Sequence, residues 1–341
     1  MSAALEEYRE LEARIGAGIE ADENLPEDLW MAVFEFQLRW NEPYARFCAA
    51  LPEPACWRDI PAVPQSAFKH ALLSVVSSSQ TGKTFLTSGT TGEGRGAHHF
   101  LDTSLYERAA RAGWLRLDLP KLPHLVLAPS AADAPQSSLA HMFTALAPLA
   151  AATENFVDGQ GRLDSARLIA ALQRTTEPVG LLGTALAFLN LFEAMEEEHV
   201  VLPPGSFALE TGGYKGSGRE IPKAQLYAQF TEHLGLPPTD VLNEYGMTEL
   251  SSQAYTRGLG EPHLAPPWLR FLVIDPETGA EVEPGESGVL RLFDLANLGS
   301  VVAVETQDLA VRLEDGFELI GRDPGAIPRG CSRQADESFR R

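Results

Sequence analysis

Thr84-Phe-Leu-Thr-Ser-Gly-Thr-Thr-Gly-Glu-Gly-Arg-Gly96 carries the strongest local signal in the sequence. It begins as a strand end and continues in small hydroxyl residues and glycines. Such a loop presents backbone N–H groups and hydroxyl donors close together, which suits phosphate oxygens. A flexible surface loop is the alternative interpretation. Gly82-Lys83 is not the end of a Walker A loop, because Ser77 stands where that motif needs glycine.

Outward from this loop, strand-like and helix-like segments alternate as far as about residue 250. The predicted strands are 124–129, 155–158, 179–184, 206–213 and 239–246, and the predicted helices are 104–117, 137–151, 163–174, 185–198 and 222–235. Strands separated by helices of this length indicate βαβ units and a mainly parallel sheet.

The two flanks differ from this centre. Residues 1–80 are predicted to be a helical segment packed on the core, with an apolar stripe from Leu29 to Phe47. Short strands separated by turns predict a barrel-like β subdomain over 266–320. The predicted organisation is therefore 1–80, an α/β core over 81–265, the β subdomain over 266–320, and a hinge and tail over 321–341.

Composition excludes several classes of function. The chain has 341 residues, 44% of them apolar, and a formal net charge of −20. Polyphosphate is repelled by such a surface, so we expect no nucleic-acid partner. Apolar runs fall short of the ~20 residues that span a bilayer, and the acidic N-terminal sequence is unlike a signal peptide. Three cysteines form no disulfide framework. The sequence predicts a cytoplasmic protein with no membrane partner.

The loop over 87–96 resembles the phosphate loop of the adenylate-forming superfamily, which includes acyl-CoA synthetases, luciferases and peptide-synthetase adenylation domains. Three more motifs follow in that family's order: Asn243-Glu-Tyr-Gly-Met-Thr-Glu249, Glu305-Thr-Gln-Asp308 and Gly321-Arg-Asp323. Arg95 stands where the family often has lysine. The resemblance implies an α/β fold, the N-terminal core of that superfamily, with βαβ-type sheets, flanking helices and a small β-barrel-like subdomain.

The resemblance also implies ATP and Mg²⁺. Thr248 would meet the α-phosphate, Glu249 would hold the metal, and Arg95 would supply positive charge. Asp308 and Arg322 would contact the ribose hydroxyls, which an ionised carboxylate can accept. The other implied nucleotide-binding residues are Thr87, Ser88, Gly89, Thr90, Thr91, Gly92, Gly212, Gly213, Tyr214, Lys215, Glu244, Tyr245 and Gly246. For Lys215, a solvated surface lysine is the alternative.

One branch of the superfamily is more similar to this chain. Other members continue into a small domain with a catalytic lysine, whereas no lysine here lies beyond Lys223. The acyl-protein synthetases of bioluminescence operons (LuxE-like) are short in the same way. They adenylate a fatty acid, transfer it to a cysteine near the C-terminus and pass it to a reductase. Cys331 has the matching position, and Arg329 and Arg333 beside it favour the thiolate. An incidental thiol is the alternative.

Four residues are candidates for lining the pocket of the acid: Ser137, Ser138, His141 and Met247. A satisfied core histidine is the alternative for His141. His98 and His99 suggest a metal site, but adjacent side chains of a strand point to opposite faces.

The sequence thus predicts ATP-dependent activation of a carboxylic acid, fatty or aryl, to an acyl-adenylate, with transfer to a thiol. The acceptor is Cys331, a carrier protein or coenzyme A. Two alternatives stay open: a non-catalytic acyl- or nucleotide-binding partner of an acyl reductase, and a coenzyme A ligase completed by a separate polypeptide. Pyrophosphate exchange distinguishes the enzyme from the binding partner.

Overall fold

The computed structural model describes residues 3–87, 94–212, 219 and 221–322. The helices are α1 (Ala3–Ala21), α2 (Glu27–Trp40), α3 (Glu42–Cys48), α4 (Ser104–Leu115), α5 (Ser138–Leu146), α6 (Ser165–Arg174), α7 (Ala185–Met195) and α8 (Lys223–Leu234). The strands are β1 (Val63–Pro64), β2 (Lys83–Leu86), β3 (Ala97–Phe100), β4 (Pro123–Leu127), β5 (Ala152–Asn155), β6 (Gly180–Thr184), β7 (Phe207–Thr211), β8 (Val241–Tyr245), β9 (Ala254–Arg257), β10 (Leu269–Ile274), β11 (Ser287–Asp294), β12 (Ala303–Arg312) and β13 (Phe317–Arg322).

Two compact units are formed, each from discontinuous parts of the chain. The first takes Met1–Gly113, Met247–Ala254 and the chain from Pro262 onward, and the second takes Trp114–Gly246 and Tyr255–Glu261. The predicted segments 1–80 and 266–320 both lie in the first unit. Residues of the predicted core, 81–265, are divided between the two.

A six-stranded sheet forms the centre of the second unit, in the order β5-β4-β6-β7-β8-β9. Its first five strands are parallel neighbours. Apolar side chains of α6, α7 and α8 pack with those of the strands in one buried cluster, where Phe188 and Phe230 meet edge to face at 4.7 Å. At Gly180 of β6 an added Cβ would lie 2.6 Å from the Phe207 ring. Glycine therefore permits this strand pair to pack closely.

The first unit contains a five-stranded sheet and a two-stranded hairpin. Strand β12 is central: it pairs with β1 in parallel and with β11 and β13 antiparallel, and β10 extends the sheet beyond β11. Strands β2 and β3 form the antiparallel hairpin. In α2 the apolar stripe is buried as predicted, except that Trp40 is 36% exposed and its indole donates to Glu7.

The architecture confirms the predicted fold class, an α/β core with an additional β subdomain. Several element boundaries differ by a few residues, among them the end of α5 at Leu146 instead of 151. Two predicted strand assignments differ more. A strand was expected over 155–158, but β5 ends at Asn155. The two strands expected between Ser300 and Leu313 are one, because β12 runs through a register shift against β11 and β13. No helix in the described ranges has the length and apolar character needed to cross a membrane.

Candidate functional site

The loop over 87–96 connects β2 to β3, and its two described ends are joined. The Thr87 amide donates to the Gly96 carbonyl at 2.9 Å, and the Gly96 amide donates to the Thr87 hydroxyl at 2.9 Å. Arg95 is exposed, and its guanidinium donates to the carbonyls of Thr87 (2.6 Å) and Leu86 (3.2 Å). The described ends thus form a closed neck. In this arrangement Arg95 supports the neck, and its predicted role toward phosphate stays a prediction.

Gly96 is predicted to tolerate no side chain at this neck. A Cβ on Gly96 would lie 3.0 Å from Thr87 Cγ2 and 3.4 Å from the Phe68 backbone, whereas a Cβ on Gly94 meets nothing within 4 Å. Overpacking costs about 1–3 kcal/mol. We expect Gly96→Ala to lower the free energy of unfolding by about 1 kcal/mol, and Gly94→Ala to leave it within about 0.5 kcal/mol. Urea denaturation measures both, and equal effects would refute the steric argument.

Thr248 and Glu249 lie in a turn of the first unit. The Leu250 amide closes this turn on the Met247 carbonyl at 3.1 Å. The carbonyl of Thr248 accepts a hydrogen bond from Nδ1 of His98, on β3, at 2.7 Å. Glu249 is buried, while Met247 and Thr248 are half-buried. This contact joins the strand that leaves the phosphate-loop hairpin to the turn carrying two predicted catalytic residues.

His98 is held as a neutral donor. Burial lowers the pKa of His98 to about 3. The hydrogen bond with the Thr248 carbonyl opposes this shift only in part. Because a carbonyl can only accept, the hydrogen bond requires the proton on Nδ1. His99, next to it, contacts the Thr84 hydroxyl instead. The two histidines therefore have separate partners.

Asp308 and Arg322 lie opposite each other on neighbouring strands. The register of β12 with β13 pairs these two positions directly. Asp308 is 8% exposed, and its backbone amide donates to the Thr306 hydroxyl oxygen at 3.1 Å. Arg322 is described only as a backbone position. The register brings together the two residues predicted to contact the ribose.

In the second unit, the predicted nucleotide-binding residues follow the carboxyl ends of β7 and β8. Ligands of parallel α/β sheets bind outside these strand ends. Gly212 comes directly after β7 and has φ +65°, a conformation that favours glycine. Open space lies beside its Cα. Tyr245 ends β8 and is buried, and Gly246 after it is half-buried.

Glu244 is a buried carboxyl at the end of β8. The Thr211 hydroxyl on the neighbouring strand donates to it, and the register pairs these two residues. Burial raises the pKa of Glu244 to about 7, the Thr211 hydrogen bond opposes the rise, and the charge of Glu210 adds to it. Glu210 accepts from the Asn243 amide at 2.7 Å and from the Tyr227 hydroxyl at 3.3 Å. Thr211 was not among the predicted site residues.

The raised pKa predicts a pH-dependent contribution to stability. A group whose pKa rises from 4.5 to about 7 on folding binds more protons in the folded state between these values. Its stabilising contribution is therefore present below pH 4.5 and lost as pH rises through 7. We expect Glu244→Gln to gain up to about 2–3 kcal/mol relative to the parent between pH 4.5 and pH 8.

Urea denaturation at pH 5 and pH 8 tests this prediction, with the exposed residue Glu314 supplying the control variant Glu314→Gln. The difference between Glu244→Gln and the parent must change with pH, and that of the control must not. A constant difference for Glu244→Gln would show that its carboxyl does not titrate in this window.

The predicted pocket residues of the second unit lie at the start of α5. Ser137 is the N-cap: its hydroxyl accepts from the Ala140 amide at 3.1 Å, as capping serines do. Ser138 begins the helix, and His141, one turn on, is half-buried and donates its amide to the Ser137 carbonyl. The cap leaves the Ser137 hydroxyl hydrogen available for another acceptor. Their role as pocket residues stays a prediction.

Several predicted residues lie outside the described part of the chain. They are Ser88, Gly89, Thr90, Thr91 and Gly92 of the phosphate loop, Gly213, Tyr214 and Lys215 after β7, and Cys331. Their predicted roles stay predictions.

Buried polar residues after β8 and β11 were not predicted as functional. Asp294 and Asn297 are almost completely buried. The Asp294 carboxylate accepts from the Ser251 amide, and the Asn297 side-chain amide donates to the Glu249 carbonyl. The sequence Phe-Asp-Leu-Ala-Asn over 293–297 has no local pattern that marks these contacts. A polar pair inside an apolar run was the only available signal.

Comparison with known proteins gives likeness at the level of structure. The sequence matches no protein-family model and no curated protein. The structure is similar to 2-hydroxyisobutyryl-CoA ligase in complex with 2-HIB-AMP and CoA, with a TM-score of 0.65, 18% identity, and coverage of 94% of this chain and 69% of the ligase.

ATP-bound MatB from Rhodopseudomonas palustris gives a TM-score of 0.52 at 17% identity and covers 72% of this chain. The chain spans about half of that protein's length, 49%. McyG A-PCP complexed with phenylalanyl-adenylate gives 0.52 at 16% identity, with 73% and 42% of the two chains covered. At these identities the likeness establishes the fold, which agrees with the fold class predicted from the sequence.

Proposed function

We propose that this protein activates a carboxylic acid with ATP to form an acyl-adenylate and pyrophosphate, and that the acyl group then passes to a thiol. The hydrogen bond between His98 and Thr248 is the observation that carries the proposal. It joins two motifs separated by 150 residues, the phosphate-loop hairpin and the Thr248-Glu249 turn. Structures of similar fold contain ATP, 2-HIB-AMP or phenylalanyl-adenylate, which supports the same chemistry here.

The negative charge of both reactants explains why hydrogen-bond donors are needed at the site. A carboxylate and ATP are both anions, so donors must offset the negative charge that develops at the α-phosphate. Thr248 supplies a hydroxyl donor beside the half-buried turn, and the loop from Thr87 to Gly96 supplies hydroxyls and amides. Asp308 accepts hydrogen bonds from the ribose diol.

Glu249 has the donor type that Mg²⁺ prefers. Mg²⁺ is usually held by one or two carboxylates together with substrate phosphates. When bound, the ion would neutralise phosphate charge. Glu249 would supply the carboxylate from a buried position at the turn.

The described residues do not define the class of the acid. Fatty and aryl acids are the expected classes, and the likeness to 2-hydroxyisobutyryl-CoA ligase adds short hydroxy acids. Carboxylate-dependent exchange of labelled pyrophosphate into ATP, screened over these three classes, tests the proposal. Binding of ATP without exchange for any acid would favour a non-catalytic binding partner. Thioester that forms only after a second polypeptide is added would favour a split coenzyme A ligase.

The acceptor thiol is proposed to be Cys331, with a carrier protein or coenzyme A as the alternatives. Cys48 is a poor nucleophile, because burial raises the pKa of its thiol to about 12. The Cys56 thiol donates to the Asp59 carboxylate at 3.4 Å. Incubation with ATP, Mg²⁺ and acid should add one hydroxylamine-labile acyl group, and Cys331→Ser should abolish it while pyrophosphate exchange continues. Continued labelling of Cys331→Ser would exclude this thiol.

A further inference from the structure

The segment after β8 has no regular secondary structure, although it carries Thr248 and Glu249. Between β8 and β9 the chain makes one turn and then runs through Ser251 and Ser252. Backbone groups outside a helix or sheet need other partners when they are buried. Here three side chains form hydrogen bonds with these backbone groups. One lies on β3, and the other two lie at or just after the end of β11.

The first side chain is His98. It is 1% exposed and packs against the rings of Phe68 (5.5 Å) and Phe100 (4.0 Å), which hold its imidazole in place. Nδ1 donates to the carbonyl of Thr248. The imidazole therefore contacts the backbone of one predicted catalytic residue rather than its side chain.

The second side chain is Asn297, in the short helical turn after β11. Its amide nitrogen donates to the Glu249 carbonyl at 2.8 Å and to the Val301 carbonyl at 3.0 Å. Its amide oxygen accepts from the Ser251 hydroxyl at 2.7 Å. Both polar atoms of the Asn297 side chain are therefore hydrogen-bonded, the nitrogen to backbone carbonyls and the oxygen to the Ser251 hydroxyl.

The third side chain is Asp294, at the end of β11, which is fully buried. One carboxylate oxygen accepts from the amides of Ser251 and Ser252, both at 2.8 Å. The other accepts from the Ser252 hydroxyl at 2.7 Å and from the Ala296 amide at 3.0 Å. Four donors on one buried carboxylate anchor the segment to the end of β11.

The loop that carries Asn297 is itself held by a side chain of α2. The fully buried Gln37 donates to the carbonyls of Asn297 (3.0 Å) and Leu298 (3.1 Å) and accepts from the Val302 amide at 2.7 Å. The loop that carries Asn297 is therefore bonded on two sides. A side chain that holds a loop can position it only if it is itself held in this way.

We propose that His98, Asp294 and Asn297 form a clamp of positioning residues that holds the backbone of 248–252 in the arrangement required for adenylation. The proposal rests on the proposed function. Reacting groups held in the right geometry avoid the entropy cost of ordering during reaction, and a misplacement of about 1 Å can cost about 100-fold in rate. The clamp binds the carbonyls of both Thr248 and Glu249, the two residues that the reaction needs.

The clamp is tested at His98 with two substitutions. His98→Leu removes the donor and keeps an apolar side chain, whereas in His98→Asn the amide nitrogen is as many bonds from Cα as Nδ1 was. We expect His98→Leu to lower kcat of pyrophosphate exchange at least tenfold, with KM for ATP within about threefold, and His98→Asn to recover most of the loss. His99→Leu, whose parent residue contacts Thr84, is the matched control.

Hydrogen exchange of the peptide spanning 247–253 gives a readout independent of activity. We expect at least tenfold faster exchange there in His98→Leu and parent-like exchange in His98→Asn. Unchanged exchange and activity in His98→Leu, or equal losses in the two variants, would overturn the clamp. If His98→Leu does not fold, Asn297→Asp, which loses the donor to Glu249, is judged by the same measurements.

The two proposals fail differently. If the parent exchanges no pyrophosphate with any acid, the proposed function fails, and hydrogen exchange in the variants still decides whether the three side chains hold the segment. If the parent is active but neither His98→Leu nor Asn297→Asp slows exchange of pyrophosphate, the function stands and the clamp does not.

Discussion

Glu249→Gln is expected to lower carboxylate-dependent pyrophosphate exchange by about 100-fold at low millimolar Mg²⁺. A carboxylate ligand carries a charge that an amide lacks, and removal of one stabilising group at a strong electrostatic site costs about 10²–10³ in kcat. The fold should survive, because glutamine has the same shape as glutamate. The backbone carbonyl of residue Glu249 also keeps its hydrogen bond from Asn297, which does not depend on the Glu249 side chain.

A Mg²⁺ titration distinguishes a metal ligand from a general base. For a ligand, the Mg²⁺ concentration that gives half-maximal activity should rise at least tenfold in Glu249→Gln. For a base, kcat would fall while the Mg²⁺ midpoint stayed the same, and that outcome would contradict the assignment. Glu314→Gln, at an exposed position, supplies the control for the loss of one negative charge.

Asp308→Ala is expected to lower kcat/KM for ATP by about 10–100-fold, mainly through a higher KM. A hydrogen bond to a charged acceptor contributes about 1.5–3 kcal/mol, and in the proposed function the Asp308 carboxylate accepts from the ribose hydroxyls. The effect on KM for the acid should be several-fold smaller, because the acid does not contact this carboxylate in the proposed arrangement.

Nucleotide analogues test that contact directly. The parent should prefer ATP over its 2′-deoxy and 3′-deoxy analogues, and Asp308→Ala should lose most of that preference. Asp308→Asn keeps an acceptor oxygen and should retain an intermediate preference. If parent and Asp308→Ala discriminate among the three nucleotides equally, the carboxylate does not meet the diol.

Much of the fold was predictable because its signals are local. The alternation of buried strands with helices such as α7 and α8 follows from hydrophobic period and helix caps, both of which are written within a few residues. The ends of strands were predicted less well where they depend on pairing with a neighbouring strand. The misplaced β5 and the undivided β12 depend on pairing with neighbouring strands, and a single segment does not show which of its residues will pair.

The candidate site rests on signals that are equally local. Thr248, Glu249, Asp308 and Arg322 were proposed because each belongs to a short motif, and their roles stay predictions. The register places Asp308 opposite Arg322, the two residues predicted to act together. For Arg95 the motif and the structure give different information. Its position in the motif predicts a positive charge for phosphate, which stays a prediction, and the structure adds its hydrogen bonds to the carbonyls of Leu86 and Thr87.

The sequence alone determined the α/β class, the order of the motifs and the residue types available for phosphate, ribose and metal, since these properties depend on composition and short-range spacing. Tertiary structure alone decided what holds the Thr248-Glu249 turn. His98, Asp294 and Asn297 reach it across 150, 42–43 and 48 residues of sequence. The physical reason is that a hydrogen bond to a buried carbonyl or amide needs a partner at about 3 Å, and only packing of the whole unit brings that partner there.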